Sequence, residues 1–227
     1  PARERRGVRA TFLGPGRGAE AYKAQIREVA AQGHELANHG YDYEHMALLS
    51  AAEQREAIAK GQEALKKYSG EYPIGFRAPA GELTLETLEA AQSLGLLYSS
   101  DLSDDDRPYW MKAEKDAKSL LQIPVHWALY DLPYFAFNYN PAFPAGQGRI
   151  ARYSGVLSNW LDEFDGYYER GLCYVLQIDP QTIGNPGRTA ILESLLDHIL
   201  SKRNCWVAAC GEIYKHCRTW PNSDLVN

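Results

Sequence analysis

Glu20-Ala21-Tyr22-Lys23-Ala24-Gln25-Ile26-Arg27-Glu28-Val29-Ala30-Ala31-Gln32-Gly33-His34-Glu35-Leu36-Ala37-Asn38 decides the fold class. Its first part places Tyr22, Ile26, Val29 and Ala30 on one face of a helix. Gly33 stands where a helix end calls for a left-handed residue. The chain then runs into His34 to Asn38, a short strand candidate. Upstream, Val8-Arg9-Ala10-Thr11-Phe12-Leu13 is another apolar run of strand length. A strand, a helix and a strand in this order predict a parallel pair, because parallel neighbours need a crossover.

The alternation continues outward. Ser50 with Glu53 three residues on forms a capping box, opening a helix that runs to about Tyr68 and stops before Gly70. Ile74 to Ala78 reads as a strand cut by Pro79. Thr84 and Thr87 flank the start of a helix ending near Gly95. Leu96 to Leu102, Ser119 to His126, Cys173 to Ile178 and Cys205 to Ala209 are the remaining strand candidates. Helices at Asn159 to Arg170 and Arg188 to Ser201 sit between the last three. The class is α/β with a parallel sheet, which a barrel or a doubly wound sheet would satisfy equally. Tyr134 to Tyr153, rich in Pro, Phe, Tyr, Asn and Gly, reads as a long functional loop or lid. Pro1 to Gly7 looks like the tail of a helix whose preceding strand is expected upstream of Pro1.

The chain has 227 residues, with 24 Lys+Arg against 29 Asp+Glu and a formal charge of −5. That length predicts one domain spanning 1–227, large enough to need no disulfide staple. Mild acidity without a basic run argues against a nucleic-acid partner. No apolar run is long enough to span a membrane. Cys173, Cys205, Cys210 and Cys217 include no CxxC pair and read as reduced structural thiols of a cytoplasmic protein.

Three stretches carry candidate chemistry. Gly33 to His45 holds three histidines and two glutamates at a strand end, where parallel α/β folds build their sites. His34 reads as a strand residue and His45 as a solvated loop residue, whereas His39, between Asn38 and Gly40, reads as functional. Gly75-Phe76-Arg77-Ala78-Pro79-Ala80-Gly81 places an arginine before a proline-fixed turn. Arg77 can hold a carboxylate bidentately, and the turn can offer N–H groups to an oxyanion; a purely structural arginine fits as well. Leu176 to Arg188 ends a buried strand in Asp179-Pro180, where Asp179 is an acid, a base, an anchor or a turn-initiating residue. Asp104-Asp105-Asp106 reads as a solvated loop, and His126, His198 and His216 as structural.

Taken in order, these stretches resemble the polysaccharide deacetylase family, the NodB-homology or carbohydrate esterase 4-like group. Val8 to Phe12 looks like its second strand, Gly33 to Tyr43 like its histidine motif and Arg77 to Gly81 like its arginine–proline motif. The likeness continues through Asp105 to Trp110, Ile123 to Trp127, Asp131 to Phe135 and Asp179 to Arg188, and closes on Cys210 to Ile213. The aromatic loop and the Pro-Gln-x-Ile-Gly-x-Pro-x-Arg run resemble the branch with metal-independent allantoinases and cytoplasmic peptidoglycan-deacetylase-like proteins. The resemblance implies a distorted barrel of about seven or eight βα units, its first strand missing from this chain, and hydrolysis of C–N amide bonds.

In metal-dependent members, a first-strand aspartate and two histidines at i and i+4 hold a divalent metal; a second aspartate is the base, and a late histidine is the acid. By this correspondence His39 is the first metal histidine, Tyr43 replaces the second, and Asp179 replaces the late histidine. Both aspartates fall upstream of Pro1. Arg77 is retained, and Ala80 replaces a common tyrosine while keeping its backbone N–H. The resemblance makes His39, Asp179 and Arg77 catalytic candidates. Tyr43, Ala80, Trp110, Trp127 and Tyr134 are candidate substrate contacts, within an aromatic set that adds Tyr130, Phe135, Phe137 and Tyr139.

One histidine and one phenol make a poor zinc site, so the first expectation is no cofactor. Zn, Ni or Co on His39 is the alternative. Three functions are open: metal-free hydrolysis of a small ureide, cyclic imide or N-acyl compound; metal-dependent deacetylation of an N-acetylated sugar; or binding through a degenerate site. A small-molecule amide or N-acetylated sugar is the expected partner, with homo-oligomer assembly and no nucleic acid or membrane.

Overall fold

The computed structural model describes residues 7–79, 83–111, 120–135 and 151–219. They divide into two compact units. One takes Gly7–Pro124 together with the stretch from Val207; the other takes Val125–Trp206.

The first unit is built on a six-stranded sheet. Its strands are β1 (Thr11–Gly14), β2 (Glu35–Asn38), β3 (Gly75–Phe76), β4 (Tyr98–Ser99), β5 (Tyr109–Met111) and β6 (Leu120–Gln122). The order β1-β2-β3-β4-β6-β5 is parallel throughout except for the antiparallel edge pair β5–β6. The α/β class with a parallel sheet is therefore the observed one. Among the described residues the sheet does not close on itself.

Helices α1 (Gly16–Ala21), α2 (Lys23–Ala31), α3 (Ala51–Ser69), α4 (Leu85–Ser93) and α9 (Cys210–Cys217) belong to this unit. The Ser50 capping box forms, and Gly70 closes α3 at φ 92°. The helix expected from Glu20 is two helices, because Tyr22 leaves helical geometry at ψ 48°. Ile58, Phe76, Leu88, Ala91, Leu96 and Leu120 pack the core between sheet and helices.

Strand alternation sorts the other side chains. Asn38 faces α3, donating to the Ile58 carbonyl at 2.7 Å while its own carbonyl oxygen accepts from Gly40 N–H at 2.8 Å. Glu35, Ala37 and His39 take the opposite face. There Glu35 accepts from Thr11 Oγ1 at 2.6 Å, Gly211 N–H at 2.8 Å and Tyr98 OH at 2.9 Å. Gly75 leaves the room that the Tyr98 ring fills. One end of this face is thus saturated with hydrogen bonds, and His39 stands at the other.

The second unit packs α6 (Tyr153–Arg170) on α8 (Pro186–Ser201), with the short α5 (Leu132–Phe135) and α7 (Pro180–Ile183) beside them. Trp160, Leu195, Phe135, Phe164 and Ile183 lie in its core. Here the strand expected over Cys173 to Ile178 is reduced to one parallel bridge, Gln177 to Tyr130. Cys205 to Ala209 forms no strand. Most of the expected lid, from Ala136 to Ile150, lies outside the described residues.

Gly61 shows how α3 admits the His39 loop. A Cβ there would overlap the Gly40 carbonyl and come within 2.9 Å of Asn38 Oδ1. Alanine gains about 1 kcal/mol of helix propensity over glycine, but backbone overlap in a packed interior costs about 1–3 kcal/mol. Gly61→Ala is therefore expected to lower the urea midpoint of the full chain, and an unchanged or raised midpoint would contradict the packing.

Candidate active site

His39 follows the last residue of β2, and its N–H donates to the Gly14 carbonyl at 3.2 Å. Its Nδ1 lies 2.7 Å from the Arg77 carbonyl oxygen. A carbonyl can only accept, so Nδ1 carries the proton and the neutral ring offers its lone pair at Nε2. Burial pushes the imidazole pKa down to about 4. The bond to the Arg77 carbonyl and the Glu44 charge oppose that shift, while the Arg77 guanidinium adds to it. Near pH 7 His39 is neutral.

Tyr43 packs edge-on against this ring, with centroids 5.3 Å apart. It holds a left-handed backbone at φ 59°, unusual for a bulky residue. Gly40 turns the loop at φ 70°, where a Cβ would collide with Glu44. Glu44 accepts from the N–H groups of Tyr41 and Asp42, both at 2.9 Å. The loop is thereby folded on itself around His39.

Arg77 lies on the same side of the sheet. Its Nε donates to the Ser100 carbonyl at 2.5 Å and its Nη2 to Ser100 Oγ at 2.8 Å. Beside it, buried Asp101 accepts from Ala78 N–H at 2.6 Å and from Ser99 Oγ. Burial raises the Asp101 pKa, and the Arg77 charge acts against that rise. Asp101 is thus the carboxylate beside Arg77 that sequence reasoning did not identify. Its signal was weak, because it falls at the end of the strand candidate Leu96 to Leu102 with no motif around it.

The structure brings His39, Tyr43 and Arg77 together. Ala80 lies outside the described residues. Trp110 is on the edge strand β5, with its ring edge-on to Tyr214 at 6.0 Å. His34, expected within the strand, stands one residue before β2, where it accepts from Ala10 N–H at 3.3 Å and packs on Phe12.

The remaining candidates belong to the second unit. Trp127 is 73% exposed on a short 3-10 turn. Tyr134 donates to the Ala128 carbonyl at 3.1 Å and meets Trp160 edge-on. Asp179 caps α7, its Oδ1 accepting from Gln181 N–H at 2.7 Å and Thr182 N–H at 3.0 Å. The turn-initiating role weighed for it is therefore present. The fully buried carboxylate here is Asp131, whose Oδ1 accepts from Asp179 N–H at 3.0 Å. Among the described residues its Oδ2 has no hydrogen-bond partner. Burial, with the Asp179 charge nearby, lifts the Asp131 pKa to about 6.

A family model described as polysaccharide deacetylase matches residues 2–99. The crystal structure of a putative polysaccharide deacetylase from Mycobacterium smegmatis is 33% identical. It superposes with a TM-score of 0.88 over 96% of this chain and 74% of its own. This chain belongs to the polysaccharide deacetylase family. A peptidoglycan deacetylase of Helicobacter pylori is 26% identical over 215 residues, 84% of this chain and 72% of its own length. The Puue allantoinase, at 24% identity and a TM-score of 0.85, shares the fold. The family is one of hydrolases acting on C–N bonds other than peptide bonds.

Family resemblance also implies a divalent metal at the histidine motif. His39 supplies one strong donor, and Tyr43 stands where the second histidine would be. Among the described residues no three His, Cys, Asp or Glu side chains converge on a common point. His39 and Tyr43 by themselves do not fit the group, since a catalytic zinc needs three strong ligands and a water.

Two predictions follow from the buried ionisable groups. His39 has a folded pKa of about 4 against 6.5, so its protonation favours the unfolded chain. Stability is lost as pH falls from 6.5 towards 4. Asp131 has the opposite sign, its folded pKa of about 6 lying above 3.8. Its ionisation favours unfolding, so this loss appears as pH rises from 3.8 through 6. The two nearly cancel in the wild type. In urea titrations, His39→Gln should gain roughly 1–2 kcal/mol relative to wild type between pH 7 and 5. Asp131→Asn should lose ground to wild type over the same interval. Parallel curves for all three proteins would contradict both assignments.

Asp179 offers a separate test. As a cap, Asp179→Ala costs about 0.5–2 kcal/mol and Asp179→Asn little, because asparagine caps equally well. If Asp179→Asn keeps stability but loses turnover, the carboxylate has a chemical role beyond the cap.

Proposed function

We propose that the chain hydrolyses an N-acyl C–N bond of an amino sugar, using neutral His39 rather than a metal held by the His39–Tyr43 pair. The observation that carries this is the bond from His39 Nδ1–H to the Arg77 carbonyl. It fixes the tautomer, so the lone pair stands at Nε2, on a residue that is only partly buried. Nε2 accepts a proton as water adds to the acyl carbon. The imidazolium then returns it to the departing amine nitrogen. With a pKa of about 4, the ring is a weak base and a strong acid, so it favours the second transfer. Arg77 acts by position: its guanidinium grips Ser100, and the Asp101 carboxylate beside it holds the Ala78 N–H at the entrance to the turn at Pro79.

The names of the similar proteins favour an N-acetylated sugar over a ureide or imide. The peptidoglycan deacetylase is matched over most of both chains, whereas the allantoinase supports only the fold.

The test is turnover by the full chain on a panel of N-acetylglucosamine oligomers, ureides and cyclic imides, before and after chelation. Release of acetate from the oligomers should survive chelation. His39→Ala should lower kcat by at least about a hundredfold while leaving the fold intact. Activity lost on chelation and restored by zinc, nickel or cobalt would overturn the metal-free reading and favour the metal-dependent deacetylase. No turnover on any compound, with measurable binding, would favour a non-catalytic relative.

A further inference from the structure

Along the outer side of the first unit, α1 and α3 enclose an open groove of about 510 Å³. Tyr41 and Glu20 line one part of it, and Lys60, Glu63, Lys66 and Lys67 of α3 line the rest. The protein as a whole is acidic, yet this groove carries three ammonium groups from one helix. Lys60 and Lys67 are two turns apart on one face, about 10 Å along the axis. That span is on the scale of one disaccharide repeat of an extended glycan.

The pairing of these charges is unusual. Lys60 Nζ sits 4.5 Å from the centroid of the Tyr41 ring, Lys66 Nζ 3.8 Å from that of Tyr72, and Lys67 Nζ 5.6 Å from that of Tyr68. Lys23 and Arg27 approach the same Tyr68 ring at 5.7 and 5.8 Å. The nearby acids are engaged by phenols: Glu20 accepts from Tyr41 OH at 3.1 Å, and Glu63 from Tyr72 OH at 2.7 Å. Among the described residues the ammonium groups therefore rest on ring faces and not in close carboxylate pairs, although the Glu63 charge acts on Lys66; a ring contact is worth about as little as an exposed ion pair. An incoming anion gains Coulomb energy without breaking an ion pair, and the tyrosines supply flat faces for sugar rings.

Two observations bound the surface. Beyond Lys60 an adjoining depression shares Tyr41 but is lined by Glu44, Glu53 and Glu56, so the basic stretch ends there. Tyr41 belongs to the loop that carries His39, and that loop is stapled to α1 by Gly16 N–H on the Gly40 carbonyl at 3.0 Å and Arg17 N–H on the Tyr41 carbonyl at 2.8 Å. A strand lying on Lys60 and Lys67 thus leads up to the His39 loop.

We propose that this groove is an accessory subsite for an N-acetylated glycan bearing carboxylates, holding one acidic disaccharide repeat against Tyr41, Lys60 and Lys67. It rests on the reading that the His39 site takes an N-acyl sugar, and it narrows that substrate to an acidic polymer. Charge complementarity favours this occupant over a neutral glycan.

Binding of a hyaluronan hexasaccharide, which alternates uronate with an N-acetylated sugar, tests it against neutral chitohexaose. The full chain should bind the acidic oligosaccharide about tenfold more tightly at low salt, with the preference fading as salt is raised. Lys60→Glu with Lys67→Glu should remove that preference and leave turnover of a short neutral N-acetyl substrate unchanged. Lys60→Gln with Lys67→Gln, which keeps helix propensity and adds no repulsion, should fall between. Unchanged acidic binding in the double variants would overturn the proposal. So would equal wild-type affinity for chitohexaose, or equal affinity for an oligonucleotide or anionic vesicle, which would mark an unselective polyanion surface. The readout is binding, so it separates from catalysis: selective binding without turnover would sink the hydrolase reading alone, and turnover without selective binding would sink the groove alone.

Discussion

The hydrogen bond from His39 Nδ1 to the Arg77 carbonyl is the contact from which the proposed chemistry follows. It joins the ends of two neighbouring parallel strands, where Arg77 N–H also donates to the Asn38 carbonyl at 3.0 Å. The Arg77 peptide is thus held on both its donor and acceptor sides by β2 and the residue after it. A ring held by a backbone carbonyl cannot turn over without losing that bond in a half-buried place. An exposed histidine would sample both tautomers and titrate near neutrality; this one keeps a single tautomer and stays uncharged. The tautomer of the ring is therefore a consequence of strand register rather than of a neighbouring side chain.

Close approach of backbone to backbone makes that register possible. Gly61 allows α3 to touch the Gly40 carbonyl, and Asn38 bridges the same two segments with both ends of its amide. A buried amide left half-paired costs about 1–3 kcal/mol, so Asn38 specifies this junction more sharply than an apolar residue could. Tyr43 then completes the loop in a left-handed conformation that costs a non-glycine residue about 1–3 kcal/mol. The edge-on contact with His39 is part of what holds it there.

Much of this was legible in the sequence. Ser50, Glu53 and Gly70 announced α3 because capping chemistry is local, and His39 stood out because a histidine between Asn38 and Gly40 at a strand end has little packing reason to be there. The segments that failed are those whose structure depends on partners far along the chain. Cys173 to Ile178 has strand composition, yet pairing comes down to one bridge from Gln177, and composition does not reveal what neighbour an apolar run will find. Trp110 sits on an antiparallel edge strand that follows Arg107-Pro108, a place where alternation was too short to read. Asp101 and Asp131 were missed for the same reason: burial, the property that matters in both, is set by tertiary packing and leaves no local trace.

The two ends of the sheet's inner face argue where reactivity belongs. At one end Glu35 accepts from a hydroxyl, a phenol and a backbone amide, while Thr11 Oγ1 also accepts from Cys210 N–H at 2.8 Å. Every strong group there is spoken for, and burial raises the pKa of both Tyr98 and Cys210, keeping them protonated. Such a cluster locks α9 onto the strands and has little left to offer a ligand. At the other end partly buried His39 carries a nitrogen lone pair at Nε2, with the positive charge of Arg77 beside it. A parallel sheet gathers loops at the carboxyl ends of its strands, so the saturated end holds the scaffold together and the other end is where the proposed chemistry falls. Polar saturation, read residue by residue, distinguishes the two ends without reference to any relative.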